Sequence, residues 1–340
     1  MVNYYVLVFD GGGARGVFTT RFLMELEKYL ISNNKIQKQI QELFTIFAGT
    51  STGSIIAASC AFGYSAQYIN DVIYSNENAK KIFSQSYSTI LSPLHLRPTY
   101  SEVPRYIIGK ELFGEKTFEN ILPNKLLISS YNVTTHTPVF WNNICTTSVG
   151  GTSKNEVPNI LDAMMASSAA PTIFPSYDIN GDAYIDGGIV SNSPGMITLE
   201  KLLEGFTAST STGGSGGEQT KIKMISIGTC AQRKKITQEQ AQIAGGIGWL
   251  KDYDIIGLIM DSANQLSTAQ LTEFAHINPD KFDFLRINFV GSCVITHELP
   301  SSGTINFNID CVDDKNLDCL REHGFLAFQE NINKINNFFS

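Results

Sequence analysis

The chain has no apolar run close to the roughly 20 residues that a helix needs to cross a bilayer. A secretory leader is not expected either, because the first strand-like run begins at Tyr4 and leads directly into a glycine-rich loop. The six cysteines are scattered without a C-x-x-C pair, so we expect no metal site and reduced thiols. These absences predict a cytoplasmic protein, although an effector translocated into another cell would share them.

Positive charge is also in short supply. The 25 Lys and Arg residues are outnumbered by 32 Asp and Glu residues, which gives a net charge of −7. This balance argues against a nucleic-acid partner and against a purely electrostatic hold on anionic membranes. Contact with lipid would therefore have to be mainly apolar, through transient association with a membrane surface.

Only one tract of low complexity interrupts the chain, at residues 207–217, and we expect it to be a mobile loop because small polar residues bury little surface. Elsewhere apolar, strand-like runs alternate with helical patterns, which is typical of an α/β protein. An apolar period near the end predicts a C-terminal helix at about 314–339. The informative motifs span positions 10 to 188 and must converge, so one domain over 1–340 is expected.

A glycine-rich loop at residues 10–16 separates an apolar strand from a helix. Its spacing fits G-x-G-x-x-G, which suggests a dinucleotide site, but such a site needs a carboxylate at the end of a second strand about 20 residues on. Glu25 and Glu27 lie inside the helix instead. In a second interpretation, the backbone amides of Gly12 and Gly13 bind an anionic oxygen, with the charge of Arg15 nearby.

The second motif, at residues 49–53, fits G-x-S-x-G between an apolar strand and a helical pattern. In such a turn a serine is held in a strained conformation and its hydroxyl stands above the sheet. Gly49 and Gly53 lack the side chains that would keep the strand and helix apart. Ser51 is therefore a candidate nucleophile, and the alternative is an ordinary glycine-rich turn.

A serine nucleophile needs a base. None of the five histidines lies in a setting that would present it to Ser51, namely His95, His136, His276, His297 and His323. Asp186 is the better candidate, since it ends a short apolar run and is followed by Gly187 and Gly188. A partly shielded carboxylate can serve as a general base.

Taken in order, residues 10–16, 49–53 and 186–188 resemble the three signatures of the patatin-like phospholipases. Further similarity lies at 166–175 and 190–194. The resemblance implies a three-layer α/β/α sandwich with a mostly parallel central sheet, and a Ser-Asp dyad without histidine that cleaves acyl esters of lipids. Ser51 would be the nucleophile and Asp186 the base. The oxyanion would be bound around Gly12 and Gly13, close to Arg15, and the motif would be completed by Gly11, Gly16, Gly49, Gly53, Gly187 and Gly188.

The expected substrate is thus a phospholipid or lysophospholipid at a membrane surface, hydrolysed through an acyl-Ser51 intermediate without metal or cofactor. An activating ligand or protein partner stays open, as do headgroup, acyl position and oligomeric state. Two alternatives remain: a nucleotide-binding protein that uses residues 11–16, and a catalytically silent lipid-binding scaffold. The irregular segment 84–100 is either a lid over the site or a packed surface connection.

Overall fold

The computed structural model describes residues 2–84, 98–145, 157–211, 220–230, 236–251, 253, 255–289 and 306–340. Within these residues one sheet contains eight strands: β1 (Val2–Phe9), β2 (Phe44–Thr50), β3 (Lys125–Asn132), β4 (Thr137–Asn142), β5 (Tyr177–Ile179), β6 (Asp182–Asp186), β7 (Thr220–Ile227) and β8 (Phe282–Ile287).

The spatial order of the sheet is β5-β6-β3-β2-β1-β7-β8, and β4 also pairs with β3. The five strands β3, β2, β1, β7 and β8, which are neighbours in that order, pair in parallel. The other three strands, β4, β5 and β6, form antiparallel pairs. The central strands are buried along most of their length, as expected of parallel strands covered on both faces.

Helices cover both faces of this sheet. They are α1 (Gly16–Ser32), α2 (Thr52–Ala61), α3 (Ala66–Tyr68), α4 (Asn76–Ile82), α5 (Val103–Phe113), α6 (Ile160–Ser167), α7 (Gly188–Ser191), α8 (Gly195–Ser211), α9 (Gln238–Ile243), α10 (Gly246–Lys251), α11 (Ile255–Ile277), α12 (Asp314–Glu330) and α13 (Ile332–Phe339). Gly13–Arg15 and Ile40–Glu42 are short 3-10 turns, and Ile69–Ile73 is a π-helical turn.

Alternate residues of the central strands belong to two separate cores. Leu7 and Phe9 of β1 face a core shared with α1, α2, α5, α6, α12 and α13. Val6 and Val8 face the opposite core, to which α8 and α11 contribute. The predicted fold class, a three-layer α/β/α sandwich with a mostly parallel sheet, is confirmed.

Two local expectations are changed by the structure. The helix expected at about 314–339 is two helices, because α12 ends at Glu330 and α13 begins at Ile332, with Asn331 between them. Residues 207–211 of the expected loop are helical instead, since α8 continues to Ser211. The rest of that tract lies outside the described residues. None of the described helices is long and apolar enough to span a membrane.

One register change in the sheet determines how the site is built. β2 runs beside β3 as far as the pair Thr50 and Ser129. From the next residue of β3 onward, β6 lies beside that strand in the opposite direction, and Asp186 pairs with Ser130. The carboxyl ends of β2 and β6 therefore meet along the same edge of β3.

Candidate active site

Ser51 lies on a sharp turn between β2 and α2. Its φ of 55° and ψ of −125° place it in a region that residues with side chains rarely adopt. The turn depends on close backbone packing, because a Cβ on Gly49 would lie 2.1 Å from the carbonyl oxygen of Gly53, and a Cβ on Gly53 would lie 2.2 Å from that of Phe9. This is the geometry expected for the second glycine motif.

Asp186 is brought to the same place by the meeting of β2 and β6. Thr50 and Asp186 pair with consecutive residues of β3, Ser129 and Ser130, and Ser51 follows Thr50 directly. Ser51 and Asp186 line one cleft, and they are only 7% and 2% exposed. Ser51 and Asp186 are 135 positions apart in the sequence, and both lie where β2 and β6 meet beside β3.

The carboxylate of Asp186 is only partly satisfied by the protein. The amide of Gly188 donates a hydrogen bond to Oδ1 at 2.7 Å, while Oδ2 is buried and has no hydrogen-bond partner among the described residues. Burial raises the pKa of Asp186 to about 6, against the opposing effects of the Ser51 hydroxyl, the Gly188 amide and the Arg105 charge. The group is therefore mainly ionised at neutral pH, with one oxygen free to take a proton.

The glycine-rich loop forms another wall of the cleft, through Gly12 and Gly13. No described residue accepts a hydrogen bond from the amide of either glycine, whereas the next amide, that of Ala14, donates to the Ile309 carbonyl at 2.7 Å. Gly13 has a φ of 57°, and a Cβ there would lie 2.3 Å from the Ile309 oxygen. Two free amides thus remain at the position expected for binding an oxyanion.

The loop is held at its base by a pair that the sequence did not reveal. Asp10 is 1% exposed and forms a two-point ion pair with the guanidinium of Arg286 on β8, whose Nη1 donates to Asp10 Oδ1 at 2.9 Å. Gly11 is fixed as well, since its carbonyl accepts hydrogen bonds from Thr229 and Asn192. These contacts set the direction of the amides that follow.

Arg15 does not line the cleft. Its Nε donates a hydrogen bond to the Gly12 carbonyl at 3.3 Å, so its side chain folds back onto its own loop. The remaining motif glycines lie in equally tight surroundings, because an added Cβ would approach a neighbouring atom to between 2.2 and 2.6 Å at Gly11, Gly16, Gly187 and Gly188.

A short segment at the end of α6 connects these parts, and sequence reasoning gave it no role. Ser167 Oγ accepts the backbone N–H of Ser51 at 2.9 Å, and the Ser167 carbonyl accepts that of Gly187. The carbonyl of Ala169 accepts the N–H of Asp186 at 3.0 Å, and that of Ser168 accepts a hydrogen bond from Arg105. The only signal in the sequence was the family similarity at 166–175.

The described histidines stand apart from the cleft. His136 and His276 are exposed, and His323 is buried in α12, where its Nδ1 contacts the Cys319 carbonyl. His95 and His297 lie outside the described residues, as does most of the segment 84–100 that was considered as a lid. Among the described residues, no group of His, Cys, Asp and Glu side chains is arranged to hold a metal ion.

The cleft itself is large and mainly apolar. The empty space between its walls amounts to about 930 Å³, which includes open solvent, and its polar lining residues include Ser51 and Asp186. The apolar lining comes from many elements and includes Ile55, Ile73, Phe83, Ile108, Leu112, Met164, Phe174 and Met260. Such a lining suits a hydrocarbon chain better than a polar group.

Comparison with known proteins gives a consistent pattern. The family model described as Patatin-like phospholipase matches residues 7–199. A cGAMP-activated phospholipase of Vibrio cholerae is 29% identical over 255 residues, which cover 72% of this chain and 69% of that protein. One from Escherichia coli is 34% identical over 198 residues, which cover 57% of this chain and 54% of that protein.

More distant matches include plant proteins and solved structures. Patatin-like protein 1 of Arabidopsis thaliana is 24% identical over 77% of this chain and 68% of its own length. VipD from Legionella pneumophila aligns with 95% of this chain and 67% of its own, at 12% identity and a TM-score of 0.37.

Proposed function

The chain belongs to the patatin-like phospholipase family, and we propose that it is a lipid acyl hydrolase of the phospholipase A or lysophospholipase type. Ser51 is the nucleophile in this proposal, and Asp186 is the general base. The observation that carries it is the meeting of β2 and β6, which puts a strained serine and a carboxylate with a free oxygen in one apolar cleft.

The first step is attack by the Ser51 oxygen on the carbonyl carbon of an acyl ester, while Asp186 Oδ2 takes the hydroxyl proton. The pKa of Asp186, about 6, suits this role because the group is ionised at neutral pH and still basic enough to accept a proton. A positioned base of this kind typically contributes about 10²- to 10⁴-fold in rate.

Negative charge develops on the carbonyl oxygen as the tetrahedral intermediate forms. In the proposal, the free amides of Gly12 and Gly13 stabilise that charge, and the N-terminus of α2 adds a favourable dipole. Each such donor is worth about 3 to 4 kcal/mol in acyl transfer. Arg15 supports the loop rather than the oxyanion, because its side chain is bonded to the Gly12 carbonyl.

The intermediate collapses when the alcohol or lysolipid leaves with the proton from Asp186, and an acyl-Ser51 ester remains. A water molecule activated by the same carboxylate then attacks this ester, and the fatty acid is released. The apolar lining of the cleft favours this substrate class, since burying each CH₂ of an acyl chain stabilises the complex by about 0.8 kcal/mol. No cofactor enters these steps.

Regulation by a small ligand is part of the proposal. Four relatives are named for activation by cyclic dinucleotides, three by cGAMP and one by cUMP-AMP. The chain spans 69% and 54% of the first two of these relatives. We propose an activator of the cyclic dinucleotide class, which comparison of hydrolysis with and without cGAMP would test directly.

The proposed activity can be tested with mixed phospholipid vesicles and mass spectrometry of the products, using wild type, S51A and D186N with and without cGAMP. Release of fatty acid and lysolipid by wild type alone would support the dyad. Release that persists in S51A would contradict it. Lipids left intact under both conditions, together with measurable NAD affinity, would favour the nucleotide-binding alternative.

That alternative has weaker support. A nucleotide site at residues 11–16 needs a carboxylate where the strand after α1 ends. Here this strand is β2, which ends at Thr50 and leads into the serine turn. The silent scaffold predicts that D186N leaves lipid binding intact and that no lipid is consumed.

A further inference from the structure

Arg105 is a buried arginine whose guanidinium is only partly satisfied. It lies on α5, is 3% exposed and lines the same cleft as Ser51 and Asp186. Nη1 donates a hydrogen bond to the Ser168 carbonyl, and the group lies over the ring of Phe174 at 4.3 Å from its centre. Nε and Nη2 have no hydrogen-bond partner among the described residues.

The two free donors belong to one edge of the planar group. The N–H bonds of Nε and Nη2 along this edge are parallel, so together they form an unused two-point fork, while Nη1 is bonded to the Ser168 carbonyl and one face of the guanidinium lies over Phe174. Such a fork matches two oxygens of a phosphate or carboxylate. The position is rigid, because Gly109 on the next turn of α5 packs closely against Leu161 and Met164 of α6.

The positive charge of the Arg105 guanidinium would be stabilised by a bound anion. Burial lowers the pKa of Arg105 to about 10, in spite of the opposing effect of Asp186, so the side chain stays cationic at neutral pH. None of the ion pairs among the described residues includes Arg105, and Asp186, in the same cleft, is the negative group that acts on it most. A buried cation without a bonded partner is costly, and a ligand anion would offset that cost.

We propose that the free edge of Arg105 binds a phosphate oxyanion, supplied by the phosphodiester of the glycerophospholipid substrate. The inference rests on the proposed function and adds to it the group that selects phospholipids over neutral acyl esters. In this arrangement the acyl chain lies against the apolar lining, the ester carbonyl lies at Ser51, and the phosphate lies at Arg105.

The test compares two substrates with the same acyl chains in the same detergent micelles, a phosphatidylcholine and the matching diacylglycerol. For R105M we expect kcat/KM on the phospholipid to fall about 10- to 100-fold more than on the diacylglycerol. R105K keeps a charge but lacks the fork, so its selectivity should lie between those of wild type and R105M. Equal losses on both substrates, or no loss on either, would overturn the proposal.

A matched control is available on the same helix. Lys110 is exposed and lies beside the Tyr106 ring, so K110M removes one positive charge without touching the cleft. It should affect the two substrates equally. A preference shift in K110M as large as that in R105M would attribute the effect to surface charge and would contradict the assignment to Arg105.

A soluble competitor distinguishes the source of the phosphate. Glycerophosphocholine should inhibit hydrolysis of a short p-nitrophenyl ester by wild type and much less by R105M. Inorganic phosphate inhibiting as well as glycerophosphocholine, with no substrate preference, would point to a free-phosphate site instead of a lipid subsite. If wild type hydrolyses no ester and takes up no fluorophosphonate at Ser51, both with and without cGAMP, the proposed function itself fails.

Folding is followed by thermal melting in every variant. Since one edge of the guanidinium is buried without a partner, the melting temperature of R105M should be at most a few degrees below that of wild type. A large drop would show that Arg105 is needed for the fold, and the comparison of substrates would then rely on R105K.

Discussion

Arg286 and Asp10 form a buried two-point ion pair between β8 and the first residue of the glycine-rich loop. The pair ties the loop to a strand at the far side of the sheet. Nη1 of the same guanidinium also donates to Ser226 Oγ at 2.6 Å, so the contact links three adjacent strand ends.

Removing one partner should therefore destabilise the protein. R286M leaves the Asp10 carboxylate buried without its cation, and we expect a loss of about 3 to 5 kcal/mol in the free energy of unfolding. The double variant D10N/R286M should recover much of that loss, because neither charge remains. Urea unfolding of the single and double variants measures the coupling. Losses that simply add would contradict a direct interaction.

The pH dependence of activity should follow the ionisation of Asp186. The base must be deprotonated, and its pKa is raised to about 6 by burial. We therefore expect kcat/KM for a soluble ester to rise with pH and to level off above about 7. Rates between pH 4.5 and 8.5 test this, and a limb centred near 4 would indicate an unperturbed carboxylate.

Stability should show the opposite trend for the same group. Because the folded pKa of Asp186 lies above its ordinary value of 3.8, its contribution to stability is fully present below 3.8 and is lost as the pH rises through about 6. D186N does not titrate, so it should be more stable than wild type by about 2 to 3 kcal/mol at pH 8 and about equal to it at pH 4. Denaturant unfolding of both proteins at pH 4 and pH 8 measures this difference in stability. A difference that does not change with pH would contradict the titration of Asp186 as its cause.

Ser167 should act on activity through the position of Ser51. S167A removes the acceptor of the Ser51 amide, so we expect about 1 kcal/mol less stability and a fall of about tenfold in kcat. S59A is the matched control. The buried hydroxyl of Ser59 donates a hydrogen bond to the Ile55 carbonyl within α2, the helix that follows the Ser51 turn. If the two substitutions changed kcat equally, Ser167 would have no specific effect on the position of Ser51.

Local backbone chemistry explains why part of the site could be predicted. The strained turn at Ser51 needs glycine at positions 49 and 53, because both backbones pack against neighbouring carbonyls. Those two glycines are visible in five residues of sequence. The same holds for the loop around Gly12 and Gly13, which follows directly from β1.

Other parts depend on contacts that no short window contains. Arg105 and Arg286 meet their partners only after α5 and β8 have packed, so in sequence they read as ordinary helical and strand residues. Asp186 could be singled out because it ends a short apolar run before two glycines, whereas its raised pKa depends on burial beneath several elements. The break at Asn331 was missed because the apolar residues on either side continue one periodic pattern.

In the proposed mechanism, Asp186 activates Ser51 within one cleft. The most direct measurement is labelling with a fluorophosphonate, followed by peptide mapping by mass spectrometry, in wild type, D186N and S54A. The last variant is a control, because the Ser54 hydroxyl of wild type donates a hydrogen bond to the Ser51 carbonyl. We expect an adduct on Ser51 in wild type and S54A, and a rate of labelling at least 10²-fold lower in folded D186N. Labelling of Ser51 at the same rate in D186N, or of another residue in wild type, would contradict it.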